Sequence, residues 1–407
     1  MINFNEISKI GIGTYRMTYE SQEHINALQY AIESGVNLID TASNYQFGNS
    51  EKLIGDLLKR TKRDKTFIIT KAGYINGNDI NRFSRILNSL RTIKVNNNFL
   101  YSIEPSFLEA QITASLKRLN TDYIDGFLIH NPEHYFDVEN HNQKHIYEHL
   151  IESCTFLETL VDKGVIRYYG ISSNILPTRG IDLKKIINDD NDFPNFKLTQ
   201  FPYNLVENEA NEKNGDESLI DFCKKKAIKT FANRPLNTTY NGKVLRLADY
   251  SDEFINVNFE TEEVLFNEFL FLIKKQLDKF GETSNPEDFV PIKFFINNRK
   301  NIANPEAVNK ALNSHLLPFI EQLQFTEERI KKILNELLNY WILYSKKSIT
   351  DRSLEMKNTL INKGVLIKND KRDLSLLACE SYLKDDINHV LVGMRNKKYV
   401  DNLLSLV

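Results

Sequence analysis

The chain is poor in cysteine, proline and tryptophan, with 3, 10 and 1 of these in 407 residues. Cys154, Cys223 and Cys379 are far apart, odd in number and without CxxC spacing. That excludes a disulfide-stapled framework and fits a reducing compartment such as the cytoplasm. An excess of charge of either sign is also missing. The formal net charge of −2 gives no reason to expect nucleic acid or an anionic membrane as a partner. No uninterrupted apolar stretch is long enough to span a membrane. The segment Met1-Ile2-Asn3-Phe4-Asn5-Glu6 has no basic region leading into a long apolar run, so no secretory signal is expected. What is present is ordinary for a soluble globular protein: 41% hydrophobic and 26% charged residues. The length suffices for a sizeable core, in one elaborated domain or in two or three smaller ones. Richness in Asn, Lys and Ile matches an AT-rich coding sequence.

The first two-thirds alternates short apolar runs with amphipathic helical patterns, which argues for parallel strands joined by crossover helices. Strand-like runs end at Ile10–Gly13 and cover Val36–Asp40, Phe67–Lys71, Tyr123–His130, Ile166–Ser172, Lys197–Tyr203, Ile228–Ala232 and His389–Val392. Eight is the closure number of a (β/α)8 barrel. Between them, Ser21 is placed to cap a helix carrying Ile25, Leu28 and Ile32. A second helix starts near Ser50 with Leu53, Ile54, Leu57 and Leu58 on one face, and Pro105 suits the first turn of another. Two stretches exceed the repeat: an Asn-rich connection over about 73–103, and a long insertion over 237–372. The expected organisation is strands one to seven within 1–236, the insertion, and the last helix and strand within 373–407. Val264, Phe269, Leu272 and Ile273 suggest one helix of the insertion. Ile330, Ile333, Leu334, Leu337, Leu338 and Trp341 suggest another. A loop following a barrel strand belongs to the catalytic face, so a lid or partner surface is expected there. The stripes permit a homo-oligomer without requiring one.

Three strands end in ionisable groups. Gly35-Val36-Asn37-Leu38-Ile39-Asp40 ends in an acid with Tyr45 five residues on; the next strands deliver Lys71 and His130. Free tyrosine, with a pKa of about 10, is a poor acid at neutral pH. An ammonium beside it favours phenolate, so Lys71 is expected to lower the pKa of Tyr45. Asp40 would hold Lys71 charged and in place, and His130 would orient and polarise a carbonyl oxygen. Such a group can protonate a developing alkoxide or deprotonate an alcohol. It contains no obvious nucleophile and no metal-ligand cluster, so the missing component is a hydride donor.

With these residues the sequence resembles the aldo-keto reductase superfamily. The resemblance rests on Gly11-Ile12-Gly13-Thr14-Tyr15-Arg16, on Asp40-Thr41-Ala42 through Tyr45 to Gly48-Asn49-Ser50-Glu51, and on Ile69-Thr70-Lys71. It continues through Leu128-Ile129-His130-Asn131-Pro132-Glu133, Gly170-Ile171-Ser172, Gln200-Phe201-Pro202-Tyr203-Asn204 and Val392-Gly393-Met394-Arg395. It covers about residues 8–236 and 373–402. The resemblance implies a catalytic tetrad of Asp40, Tyr45, Lys71 and His130. It also implies a nicotinamide cofactor, NADP(H) rather than NAD(H), and a small carbonyl or alcohol substrate. A sugar derivative is one candidate for a pocket enlarged by the insertion. Gly13, Thr14 and Tyr15 fall in the implied cofactor set, with the carboxamide on Gln200 and on Ser172, Ser173 or Asn174. Pro235, Leu236, Gly393, Met394 and Arg395 take the implied phosphate positions, and Arg395 and Lys398 suit a 2′-phosphate. Asn233 stands where the family has an aromatic that stacks on the nicotinamide, and the family's N-terminal hairpin is not expected. The departure at Asn233 and the large insertion keep a second reading open, that of a non-catalytic cofactor-binding regulator or scaffold.

Overall fold

The structure is a computed structural model that describes residues 2–136, 143–188, 191–213, 215–240, 243–281, 284–324, 328–362, 364–367 and 370–407. Eight strands form a closed ring: β1 (Ile10–Gly13), β2 (Leu38–Asp40), β3 (Phe67–Ala72), β4 (Ile124–His130), β5 (Ile166–Ser172), β6 (Phe196–Pro202), β7 (Lys229–Asn233) and β8 (His389–Val392). They follow one another in chain order, every ladder is parallel, and β8 closes on β1 with Ile10 opposite Val390. β3 and β4 are buried along their whole length, as parallel strands covered by helices must be. The helices begin where the sequence places them. Ser21 accepts from the His24 N–H at the start of Gln22–Glu33, and Pro105 opens Pro105–Leu119, which ends at left-handed Asn120. Gly170 lets β5 and β6 approach, since a Cβ there would lie 1.7 Å from the Leu198 carbonyl oxygen.

The floor of the barrel has an occupant that the sequence reading did not assign. Ile2, Phe4 and Ile7 pack with Leu38, Phe67, Leu128, Leu198, Phe231 and Leu391. The Phe4 ring sits 4.4 Å from Tyr168 and 5.8 Å from Phe67. A single 3-10 turn over Phe4–Glu6 therefore covers the end of the barrel where these strands begin.

The Asn-rich connection after β3 is more ordered than expected. Tyr74–Asn76, Ile93–Asn96 and Phe99–Tyr101 form a three-stranded antiparallel sheet with Phe99–Tyr101 in the middle. Its asparagines make the turn, where Asn96 Oδ1 accepts from the Asn98 N–H at 2.8 Å.

The chain divides into two compact units, Met1–Thr238 with Ala378–Val407, and Thr239–Leu377. The first is the barrel. The second has its own core, in which helices Glu260–Lys279, Val290–Asn298 and Glu328–Asn362 bury Phe269, Ile273, Phe295, Ile333, Leu337 and Trp341. Val264, grouped with the apolar stripe from the sequence, is 67% exposed instead. Among the described residues no helix is long and apolar enough to cross a membrane.

Candidate active site

Asp40 is the last residue of β2, Lys71 the fifth of β3 and His130 the last of β4. These strands are neighbours in the ring, so three ionisable side chains meet at its C-terminal end. Tyr45 opens the turn Tyr45–Gly48, in which Gln46, Phe47 and Gly48 all have positive φ. A Cβ at Gly48 would lie 2.9 Å from Arg118 Cδ, so Arg118 packs directly on this turn. Arg118 Nε is 2.6 Å from Glu51, whose other oxygen accepts from Thr70 Oγ1 at 2.6 Å. The Tyr45 turn and the strand carrying Lys71 are thereby fastened to the same buried carboxylate.

Lys71 is fully buried, and its Nζ lies 2.7 Å from Asp40 Oδ1, 2.8 Å from the Thr41 carbonyl oxygen and 3.4 Å from the Tyr45 hydroxyl. The Tyr45 ring meets His130 edge-on at 5.9 Å and Tyr15 edge-on at 5.1 Å. Burial lowers the Lys71 pKa, and Asp40 opposes that shift. Burial, then the charges of Lys71 and His134, hold the His130 imidazole well below its ordinary value, so it is neutral near pH 7. The expectation for Tyr45 is corrected: its pKa is raised well above 10, by burial first and then by Asp40. The ammonium at 3.4 Å does not overcome the loss of water around a buried phenol. Tyr45 is thus held protonated near neutral pH.

A second cluster joins the first through Asp40. Gln200 Nε2 donates to Asp40 Oδ1 at 2.8 Å, and Gln200 Oε1 accepts from Ser172 Oγ at 3.1 Å and from Asn233 Nδ2 at 3.3 Å. Ser172, Gln200 and Asn233 are thus together, from three successive strands. Of the three candidates after β5, Ser172 is the one whose side chain bonds to Gln200. Ser173 Oγ accepts from the Ile175 N–H, and Asn174 is held by Glu133, whose Oε1 accepts from its N–H and Nδ2, each at 2.9 Å.

The other candidates scatter more. Gly13 pairs with Asp40 in the β1–β2 ladder, and the Thr14 N–H and Oγ1 both donate to the Asp40 carbonyl. Tyr15 is 60% exposed. Pro235 is buried, with its carbonyl accepting from Tyr382 at 2.9 Å, and Leu236 is half-buried. Beyond β8, Gly393 is exposed, a Cβ on it would meet nothing within 4 Å, and Met394 is buried. Arg395 is half-buried, with its charge acting on His24, and Lys398 is exposed on the turn that Asn396 caps.

Sequence reasoning missed Tyr74. Its hydroxyl is 2.8 Å from His134 Nε2 and accepts from Asn131 Nδ2 at 2.7 Å, and its ring stands edge-on to His130 at 5.2 Å. Its position three residues after Lys71, just past the strand, was the available signal. A cleft lined by Arg63, Tyr123, Ile166, Arg167 and Tyr168 opens at the opposite end of the barrel. Its arginines are each 2.7 Å from Asp125, so it is a braced structural face remote from the tetrad. Among the described residues no group of three or more His, Cys, Asp or Glu side chains is arranged to hold a metal ion.

The model of the Aldo/keto reductase family matches residues 9–287. The chain belongs to that family. This places it among the oxidoreductases, and several of its relatives are named as reductases. It is 27% identical over 287 residues to the aldo-keto reductase YhdN of Bacillus subtilis, covering 68% of this chain and 73% of that one. It is 33% identical over 133 residues to the NADH-specific methylglyoxal reductase of Escherichia coli, covering 30% of this chain and 38% of that one. It is also 30% identical to an uncharacterized Bacillus subtilis oxidoreductase, YqkF, over 41% of this chain and 45% of that protein. The last two matches span less than half of those relatives. A solved aldo/keto reductase of Klebsiella pneumoniae, described in complex with NADP and acetate, is 21% identical, covering 56% of this chain and 65% of that chain at a TM-score of 0.36.

Proposed function

We propose that this aldo/keto reductase interconverts a carbonyl compound and its alcohol with a nicotinamide cofactor, and that Tyr45 is the general acid-base. One observation carries the reading: the buried Lys71 ammonium bridges Asp40 at 2.7 Å and the Tyr45 hydroxyl at 3.4 Å, beside neutral His130. When bound, the nicotinamide gives or takes the hydride. The protein supplies the rest. Neutral His130 has one ring N–H to offer a carbonyl oxygen, orienting it toward Tyr45. An alkoxide is a stronger base than phenolate, so a buried Tyr45 with a raised pKa still surrenders its proton as charge develops. The phenolate left behind is stabilised by Lys71, which Asp40 keeps in place. In the oxidative direction the same groups withdraw the alcohol proton.

The residues present fit the cofactor. Hydroxyl and amide groups of Ser172, Gln200 and Asn233 converge as a carboxamide requires, and Gly393 leaves open space where a side chain would stand. Arg395 and Lys398 are the cations for a 2′-phosphate, which favours NADP(H) over NAD(H). The Escherichia coli relative is named NADH-specific, so the two dinucleotides must be compared directly. The substrate is a small carbonyl or alcohol, with sugar derivatives among the candidates. Three free, buried cysteines suit the cytoplasm. The test is a fluorescence titration of the purified protein with NADPH and with NADH. Saturable binding, tighter for NADPH by about tenfold and equalised by Arg395→Ala, is the expected result. Binding of neither would overturn the proposal.

A further inference from the structure

Asn233 is the last residue of β7, opposite Pro202 in the ladder that joins β6 to β7, and its side chain reaches diagonally to Gln200. The orientation of its amide follows from a chain of necessity that begins at Asp40. A carboxylate can only accept, so Gln200 must turn its NH₂ toward Asp40, and it does so at 2.8 Å. That leaves Gln200 Oε1 facing Ser172 and Asn233. A carbonyl oxygen has two lone pairs, and both are engaged, by Ser172 Oγ at 3.1 Å and Asn233 Nδ2 at 3.3 Å. Asn233 must therefore present its NH₂ to Gln200, which turns its own carbonyl oxygen away. Asn233 Oδ1 is buried and has no hydrogen-bond partner. Buried acceptors are nearly always paired, and leaving one unpaired costs about 1–3 kcal/mol.

We propose that Asn233 Oδ1 is the acceptor for the carboxamide N–H of the nicotinamide ring, so that this protein recognises by hydrogen bonding a group that an aromatic at this position would hold by stacking. The inference rests on the function proposed above. It makes a sharper claim, because Gln200 Oε1 is saturated and Ser172 Oγ already donates to it. Of the three polar side chains gathered here, only Asn233 has a buried polar atom with no hydrogen-bond partner at all.

The test compares NADP⁺ with its 3-acetylpyridine analogue, which keeps the carbonyl oxygen and replaces NH₂ with a methyl group. Isothermal titration calorimetry reads binding without any turnover. The wild type should bind NADP⁺ about tenfold more tightly than the analogue, the worth of one buried hydrogen bond. Asn233→Leu, similar in volume, should bring that ratio to about one. Asn233→Ala should do the same, which separates the lost acceptor from any packing defect in the leucine variant. Equal binding of both dinucleotides by the wild type would overturn the proposal while leaving the nicotinamide reading intact, and so would an undiminished preference in both Asn233 variants. If the wild type binds neither dinucleotide, the nicotinamide reading fails and this proposal falls with it.

Discussion

One buried carboxylate–cation pair of the barrel and one of the helical unit do different things. In the barrel, Lys71 and Asp40 meet at 2.7 Å with side chains 0% and 6% exposed. In the helical unit, Arg299 and Glu262 meet at 2.9 Å with side chains 9% and 0% exposed. Glu262 also accepts from Trp341 Nε1 at 2.9 Å, and Arg299 reaches Glu263 and covers the Phe266 ring. Its guanidinium is a fixed fork that ties the end of helix Val290–Asn298 to helix Glu260–Lys279, and Glu262 joins that helix to the long helix Glu328–Asn362 through Trp341. The Lys71 ammonium is a compact charge whose pKa yields to its surroundings, and it stands beside a hydroxyl that can move a proton. Burial alone does not mark a catalytic pair. The Lys71 pair differs in having a titratable neighbour, Tyr45, at the mouth of the barrel.

Removing the cation from the barrel pair should have the largest effect. Lys71→Met is expected to lower turnover roughly 10²–10⁴-fold, the usual worth of positioned acid-base catalysis, measured on material shown to be folded. Lys71→Arg should restore the charge and not the rate, because the planar fork cannot replace the compact donor between Asp40 and Tyr45. Full rescue by arginine would erase the distinction drawn between the two pairs.

Breaking the helical pair comes next. Glu262→Ala leaves Arg299 and the Trp341 N–H without their buried acceptor. It should cost about 3 kcal/mol in denaturant unfolding, since removal of one partner strands the other. A change below about 1 kcal/mol would mean that the pair is not the staple its geometry describes.

The smallest effect concerns acid. Burial pushes the His389 imidazole of β8 from 6.5 down to about 4. Between those values the unfolded chain binds a proton that the folded chain refuses, so stability falls as pH falls through this window. At pH 5 the loss from this residue is about 2 kcal/mol. His389→Gln should flatten the stability profile between pH 6.5 and 4. An unchanged slope would assign the acid sensitivity elsewhere.

The same contrast shows what the sequence makes legible. The eight strands could be read because each is a short apolar run ending at a glycine or a polar residue, and parallel strands are buried on both faces. Asp40, Lys71 and His130 stood out because each interrupts such a run at the same end. The direction of the Tyr45 pKa was not legible. It depends on how completely water is removed, and a neighbouring ammonium on paper carries no record of burial. Nor was the link from Asp40 through Gln200 to Asn233, which spans 160 residues between the first two members. The fate of Asn174 was partly written in the motif, since Glu133 lies beside His130 in sequence, but its grip on Asn174 needs β4 and β5 to be adjacent. Phe4 gave only an apolar residue near the start of the chain. The floor it helps to cover exists only after the ring has closed.

The assignment of Tyr45 is the claim on which the rest depends. It is tested most directly by measuring NADPH affinity and the rate of carbonyl reduction on the same preparations of wild type and Tyr45→Phe. An affinity unchanged within twofold and a rate lowered at least about 10²-fold are expected. Turnover by the phenylalanine variant at the wild-type rate would contradict the assignment outright.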